Sequence, residues 1–131
     1  MYDKKKKVVP PMTIQYYGYP KCTTCRKASK WLKDNEVEYI DNHIAENPPT
    51  KELLQKMFKV SGLELIKFFN TSGMKYRELG LKDKLSTMSE DEQLSLLASD
   101  GMLIKRPIVF DGKKLTLGFK EQQFEDVWKT S

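Results

Sequence analysis

The feature that most constrains the fold of this chain is a pair of cysteines, Cys22 and Cys25, in the stretch YPKCTTCRKASKWL. The segment before them, residues 13–19, is rich in β-branched and aromatic residues and is followed by Pro20, a pattern that is typical of a β-strand. The segment after them places Cys25, Ala28 and Leu32 at the i, i+3, i+7 spacing of an amphipathic helix. The cysteines are therefore predicted to lie in the turn that joins the first strand to the first helix.

A second strand is predicted soon after this helix. The helical pattern closes near Asn35, and residues 37–44 again have the composition of a strand. A strand, a helix of about ten residues and another strand form a βαβ unit, whose two strands are parallel. We therefore expect an α/β domain with the cysteines at its first strand–helix junction.

Residues 47–103 form a mostly helical block. Thr50 is a good N-cap for the helix that follows it, and Ser89 opens a capping box at the start of a later helix. Between them, residues 61–70 predict a further short helix, and residues 71–88 are interpreted as an irregular connection.

The end of the chain returns to strands. The segments RPIVF and KLTLGF flank Asp111-Gly112, a dipeptide that favours a β-hairpin. Residues 120–128 then predict a last helix. The predicted fold is α/β, with a mixed four-stranded sheet and a helical insertion over residues 47–103.

The composition fits one globular domain. Of 131 residues, 39% are hydrophobic and 31% charged, and no apolar run approaches the roughly 18 residues that span a bilayer. Residues 1–11 are interpreted as a disordered leader, and residues 12–131 as a single domain. The net charge of +5 includes the run Lys4–Lys7 in that leader, so we expect no direct nucleic-acid binding. No apolar segment of a secretory signal follows the lysines, which favours a cytoplasmic location.

Two cysteines at this spacing fit half of a metal site, two buried small hydrophobes or a redox couple. A structural zinc needs four ligands, and the one further candidate, His43, has no second histidine beside it. We therefore expect no metal, and we interpret His43 as an ordinary polar residue near a strand end. An inert buried thiol remains an alternative, mainly for Cys25 on the apolar stripe of the helix.

The predicted position of Cys22 favours the redox couple. Unpaired backbone N–H groups and the helix dipole stabilise a thiolate at a helix N-terminus, and Lys21 and Arg26 add positive charge. A lowered pKa makes a cysteine nucleophilic at neutral pH, and Cys25 lies one helical turn away, within reach for a disulfide. A C-x-x-C motif at the first strand–helix turn of an α/β domain is typical of a thioredoxin-like redox site.

A second feature points to the same place. Arg106-Pro107 opens the strand after the helical block, where a proline is tolerated because its missing N–H need not join the sheet. A cis bond before Pro107 would form a tight corner that presents the backbone to a substrate. Arg106 would then be a fixed cation beside Cys22, suited to an oxyanion or a thiolate. A solvated surface arginine is the alternative.

Over residues 13–128 the chain resembles the thioredoxin-fold arsenate reductase family, which also contains the Spx transcriptional regulators. The resemblance is carried by five segments: YPKCTTCRKASKWL, NPPTKELL, FNTSGMKYRELGL, DGMLIKRPIVFDGKKLTLGF and KEQQFEDVW. It implies a thioredoxin-like sheet with a helical insertion, a nucleophilic Cys22 and a cis-proline at Pro107.

The resemblance also indicates where the chain departs from the arsenate reductases. Those enzymes use one cysteine and three arginines that hold the oxyanion, of which Arg106 is plainly present here. The position of the second arginine falls near Asn70, and that of the third falls near residues 118–119, with Lys120 adjacent. Cys25 departs from the single-cysteine pattern and resembles the disulfide switch of the regulators.

Two hypotheses follow. The first is a thiol-dependent reductase with Cys22 as nucleophile and Cys25 as resolving thiol, acting on a small oxyanion or a disulfide, with arsenate an unfavoured substrate. Its predicted substrate-binding residues are Arg106, Pro107, Lys21, Arg26, Asn70 and Lys120. No bound cofactor is expected, and electrons would come from an external thiol, either thioredoxin or glutathione with glutaredoxin. The second is a redox-sensing regulator that binds the C-terminal domain of the RNA polymerase α-subunit.

Overall fold

The computed structural model describes residues 13–129, which form a four-stranded sheet with helices on both faces. The strands are β1 (Gln15–Gly18), β2 (Ile40–His43), β3 (Ile108–Phe110) and β4 (Leu115–Leu117), in the order β2-β1-β3-β4. β1 and β2 are parallel, and β3 is antiparallel to both β1 and β4. The mixed sheet and the parallel first pair are therefore confirmed. The predicted leader, residues 1–11, lies outside the described residues.

One face of the sheet is covered by α1 (Thr23–Asp34) and α6 (Glu121–Trp128). Alternate residues of a strand point to opposite faces, so Tyr16 and Val109 pack here while their neighbours along β1 and β3 pack on the other side. The rings of Trp31 and Phe124 meet edge to face at 5.4 Å between centroids, joining the two helices. This layer holds α1, and with it the cysteine turn, firmly against the sheet.

The other face is covered by the helical insertion. Its helices are α2 (Lys51–Ser61), α3 (Met74–Glu78), α4 (Leu81–Lys84) and α5 (Glu90–Ser99), with short 3₁₀ turns at Leu65–Phe68, Leu85–Thr87 and Gly101–Leu103. The predicted caps are confirmed: Thr50 Oγ1 accepts the Leu53 N–H at 3.1 Å, and Ser89 and Glu92 form a reciprocal capping box.

The prediction of an irregular connection over residues 71–88 was wrong, because α3 and α4 lie within it. Each of these short helices contributes a single buried apolar side chain, Tyr76 in α3 and Leu81 in α4. Five-residue and four-residue helices have too few turns to show a periodic pattern, so their stability comes from packing rather than from propensity. The short helix predicted over residues 61–70 is the 3₁₀ turn Leu65–Phe68.

Gly101 fixes how the insertion returns to the sheet. It is buried, and a Cβ atom at this position would collide with the carbonyl oxygen of Ile44, in the loop that leaves β2. The backbone after α5 therefore packs directly on the backbone after β2, which only glycine allows.

The hairpin between β3 and β4 is confirmed, with a loop over residues 111–114. The carboxylate of Asp111 is buried and accepts the N–H groups of Lys113 and Lys114 at 2.8 and 2.7 Å. Because β1 and β3 are antiparallel, the end of β1 and the start of β3 lie side by side. This arrangement brings the cysteine turn next to Arg106-Pro107.

No helix within residues 13–129 has the length and apolar character needed to cross a membrane.

Candidate active site

Cys22 is the N-cap residue of α1, with an extended backbone at φ −90° and ψ 120°. Its Sγ accepts the backbone N–H of Cys25 at 3.4 Å, as the side chain of a capping residue does. Its own N–H donates to the carbonyl oxygen of Tyr19 at 3.0 Å, which closes the turn from β1. The sulfur therefore lies at the positive end of the helix, partly exposed to solvent.

The pKa of Cys22 is lowered by its neighbours. Partial burial alone raises the pKa of this thiol, but hydrogen bonds from the N–H and the thiol of Cys25 act in the opposite direction. Hydrogen bonding to Arg106 and the positive charge of its guanidinium lower the pKa further, and together these effects outweigh burial. Cys22 is thus the thiol that forms a thiolate more readily than an ordinary cysteine.

Cys25 has the opposite character. It is 1% exposed, and its Sγ accepts the N–H of Tyr19 at 3.4 Å. Burial raises the pKa of Cys25 to about 12, and the neighbouring Cys22 adds to the rise. Both cysteines are free thiols in this structure. At neutral pH the pair therefore consists of a reactive sulfur at Cys22 and a protonated thiol at Cys25, whose backbone N–H donates to that sulfur.

Arg106 is held mainly by contacts that leave its charge uncompensated. The Arg106–Pro107 bond is cis, as expected from the sequence. The guanidinium lies over the ring of Tyr19 at 5.3 Å, and Nη1 is 3.9 Å from Sδ of Met102. Its Nε is buried without a hydrogen-bond partner among the described residues. The arrangement leaves a positive charge for an anionic group beside Cys22.

Tyr19 contacts every member of this group, and the sequence analysis did not single it out. Its carbonyl accepts the N–H of Cys22, its N–H donates to the sulfur of Cys25, and its ring lies under Arg106. In the sequence, this role of Tyr19 is indicated only by an aromatic residue at a strand end, directly before Pro20 and the cysteine turn. That signal becomes specific only once the fold brings Arg106 to the same turn.

Two of the predicted substrate-binding cations, Lys21 and Arg26, do not contribute to the lowered pKa of Cys22. Arg26 is exposed, and its Nε donates to the carbonyl oxygen of Pro20 at 2.9 Å, which braces the turn. Lys21 is exposed within that turn. Neither is among the groups that shift the pKa of Cys22. The expectation that they help to activate Cys22 therefore has no support from the electrostatics of the site.

Asn70 and Lys120 also have defined positions. The backbone N–H of Asn70 donates to the carbonyl oxygen of Leu103 at 2.8 Å, so Asn70 lies beside the segment that leads to Arg106. Its side-chain oxygen accepts a bond from Ser72 at 3.4 Å. Lys120 is exposed at the N-cap of α6. Within the described part of the chain, neither side chain is hydrogen bonded to Cys22 or Arg106, and their role in substrate binding stays a prediction.

The side chains that could ligate a metal are dispersed in the described part of the chain. Across residues 13–129, no group of three or more His, Cys, Asp or Glu side chains lies close enough together to hold an ion. His43 ends β2, and its Nδ1 accepts the N–H groups of Ala45 and Glu46 at 3.2 Å each. Those bonds give the imidazole a structural role in the loop.

A strand–helix turn with C-x-x-C, a cis-proline beside it and a mixed sheet define a thioredoxin-like α/β protein with a helical insertion. Within this class, the chain belongs to the ArsC family, whose sequence profile matches residues 17–127.

Individual relatives include proteins described as regulators and as reductases. YusI of Bacillus subtilis (strain 168) is 65% identical over 117 residues, which are 89% of this chain and 99% of YusI. The global transcriptional regulator Spx of Streptococcus agalactiae serotype V is 36% identical over 113 residues, 84% of this chain and 79% of the regulator. Among solved structures, the crystal structure of a possible arsenate reductase from Streptococcus mutans UA159 superposes with a TM-score of 0.81 and 48% sequence identity. The match covers 87% of this chain and 98% of that chain.

Proposed function

We propose that this protein is a thiol-dependent reductase in which Cys22 attacks the substrate and Cys25 resolves the intermediate. The observation that carries the proposal is the opposite shift of the two thiol pKa values, lowered at Cys22 and raised to about 12 at Cys25. Adjacent cysteines that differ in this way divide the roles of nucleophile and resolving thiol between them.

The first step is attack by the Cys22 thiolate. With a disulfide R–S–S–R′, Cys22 forms a mixed disulfide with one sulfur, and the other leaves as a thiolate that takes up a proton. The positive end of α1 and the guanidinium of Arg106 stabilise the attacking anion. The positive charge of Arg106 also attracts an anionic group on the substrate or on the intermediate.

The second step is resolution by Cys25. Its backbone N–H donates to Cys22 Sγ at 3.4 Å, so Cys25 lies beside the sulfur that it must attack. Loss of its proton gives a thiolate that displaces the remaining substrate thiolate and forms the Cys22–Cys25 disulfide. An external thiol, thioredoxin or glutathione with glutaredoxin, then supplies two electrons and two protons to restore the thiols. The proposal places this cycle in the cytoplasm, where such donors keep thiols reduced.

A disulfide fits the site better than arsenate. Arg106 is the one arginine whose hydrogen bonding and charge act on Cys22. Arsenate carries several negative oxygens, each of which needs a charge-assisted donor once water is excluded. A disulfide carries no charge and needs only the thiolate and a stabilised leaving group.

The direct test is mass spectrometry after treatment with a mild thiol oxidant. The oxidised protein should lose the mass of two hydrogen atoms, and peptide mapping should assign the link to Cys22–Cys25. Incubation with a model disulfide should trap a mixed disulfide on Cys22 in the Cys25→Ser variant and no adduct in Cys22→Ser. Two free thiols after oxidation, or an adduct on Cys25, would contradict the proposal.

A redox-sensing regulator is the second candidate, supported by the 36% identity to a regulator named Spx and by the presence of Cys25. In this role the same disulfide would alter binding to the C-terminal domain of the RNA polymerase α-subunit. The two candidates separate in one experiment, a pull-down with that domain using reduced and oxidised protein. Binding that depends on oxidation favours the regulator, and catalytic turnover of disulfides without binding favours the reductase.

A further inference from the structure

A cleft of about 350 Å³ lies on the α1 face of the sheet, next to the active site: Tyr19 and Cys25 line it, and Cys22 does not. One wall is the outer face of α1, which presents Arg26, Ser29 and Lys33 at helical spacing. The other wall is formed by residues at the strand spacing of two, Tyr39, Asp41 and His43. The cleft exists because α1 and α6 cover the middle of the sheet and leave the edge strand β2 open on this face. We call it the α1–β2 groove.

The floor of the groove comes from β1. A Cβ atom at Gly18 would collide with the ring of Tyr16, so glycine allows this ring to lie flat across the floor. The Tyr16 hydroxyl donates to the carbonyl oxygen of Cys25 at 2.9 Å. Tyr19 lines the same groove, with its ring packed edge to face on His43 at 5.5 Å. Aromatic walls around a few polar groups are the usual composition of a small-molecule site, and the volume lies in the usual range.

The charges along the groove have both signs and are not paired with one another. Among residues 13–129, Lys33 and Asp41 take part in no ion pair. Arg26 uses its Nε on Pro20, which leaves the outer nitrogens of its guanidinium free. A ligand with a single sign of charge would meet repulsion at one of these positions. A zwitterion, with a cationic and an anionic end, satisfies both.

The spacing sets the length of the ligand. Arg26 and Lys33 are seven residues apart on α1, about 10 Å along its axis, and Ser29 lies between them. Asp41 lies on the opposite wall, between Tyr39 and His43 at the strand spacing of two. The termini of a dipeptide in extended form are about 7 Å apart, so its carboxylate reaches one of the two cations at a time.

We propose that the α1–β2 groove binds a short zwitterionic peptide, with the peptide ammonium on Asp41 and its carboxylate on Arg26 or Lys33. An aromatic or other large apolar side chain of the peptide packs on Tyr39, Tyr19 and His43. Arg26, Lys33 and Asp41 are exposed, and an exposed ion pair contributes little to binding. We therefore expect an affinity in the millimolar range.

The test is an NMR titration of the Cys22→Ser variant, in which binding is observed without any redox reaction. The probes are the dipeptide Gly-Phe, its N-acetylated form, which lacks the ammonium, and its C-terminal amide, which lacks the carboxylate. Gly-Phe should shift the backbone amide signals of Arg26, Ser29 and Asp41. Each blocked form should bind about threefold more weakly or worse, as expected for loss of one exposed ion pair.

A charge reversal gives the matched control. Asp41→Lys should reverse the preference, so that N-acetyl-Gly-Phe binds better than Gly-Phe. Glu38→Lys makes the same change in charge at an exposed residue outside the groove and should leave the order of the three probes unchanged. The proposal is overturned by absence of shifts in the groove at saturating Gly-Phe, by equal binding of the three probes, or by a Glu38→Lys variant that behaves as Asp41→Lys does.

Discussion

Replacement of Arg106 by glutamine tests whether its charge activates Cys22. Glutamine keeps a hydrogen-bond donor at the position of Nε, is shorter than arginine, and removes the positive charge. A charge-assisted hydrogen bond contributes about 1.5–3 kcal/mol, and the partial exposure of Cys22 places this one at or below the lower end of that range. A loss of about 1.4 kcal/mol lowers the thiolate fraction at neutral pH about tenfold.

The effect on rate is smaller than the effect on the thiolate fraction, and it changes sign with pH. A thiolate of higher pKa is more nucleophilic, with a Brønsted coefficient of about 0.4–0.5, so each remaining thiolate of the variant reacts about threefold faster. The net result at neutral pH is an alkylation rate about threefold lower for Arg106→Gln. Above the pKa of Cys22 in both proteins, all Cys22 is thiolate, and the variant should then react about threefold faster.

The assay is the rate of Cys22 modification by iodoacetamide as a function of pH, with the site of labelling identified by peptide mass. Lys27→Gln, which removes an exposed charge from the same end of α1, is the control and should follow the parent curve. Curves for the parent and Arg106→Gln that do not cross would refute this account. A slower variant at every pH would indicate a loss of structure or access rather than of charge.

Three further outcomes are expected. Tyr19→Leu should slow the alkylation of Cys22 at neutral pH, because it removes the ring under Arg106 and with it a cation–π contact that contributes about 0.5–2 kcal/mol. Tyr19→Phe keeps the ring and should stay within about twofold of the parent. Because burial raises the pKa of Cys25 to about 12, the folded state loses stability as pH rises from the unfolded-state pKa toward 12, by up to about 1.4 kcal/mol per pH unit. Urea unfolding at about pH 8 and about pH 10.5 should show a larger loss in the parent than in Cys25→Ala, since only the parent carries the thiol. Burial also raises the pKa values of Tyr16 and Tyr17, and these tyrosines contribute the same loss to both proteins. Arsenate turnover in a thioredoxin-coupled assay should be weak or absent, because each missing arginine contact costs about tenfold or more, and Asn70→Arg should raise it; efficient turnover by the parent would contradict the argument from charge.

The position of the cysteine pair was predictable because it depends on local sequence. The strand before Cys22 and the helical spacing after it fix the cysteine at a helix N-terminus, and this position alone favours a thiolate. The link between Arg106 and the pair was a hypothesis from the Arg106-Pro107 step, with a surface arginine as the alternative, since more than eighty residues separate them. The antiparallel pairing of β1 and β3 provides the physical reason for their proximity.

Other features depend on tertiary contacts and left little trace in the sequence. The helices α3 and α4 each bury a single side chain, so no periodicity marks them. The activating role of Lys21 and Arg26 was predicted from their nearness in sequence, yet Arg26 extends back to Pro20. Tyr19 has its role because its backbone and ring face different partners, which no pattern of residue types encodes.

The contact between Gly101 and Ile44 has a consequence for the construction of chimaeras in this family. An exchange of the helical insertion between two relatives replaces residues on one side of a backbone-to-backbone contact whose other side belongs to the sheet domain. If the donor segment has any residue but glycine at position 101, the added Cβ would push the backbone that leads into β3 away by about the width of a methyl group. Arg106 lies only five residues further on and would move with it. Functional hybrids should therefore be joined after Gly101, with the loop that follows β2 taken from the same parent as the insertion.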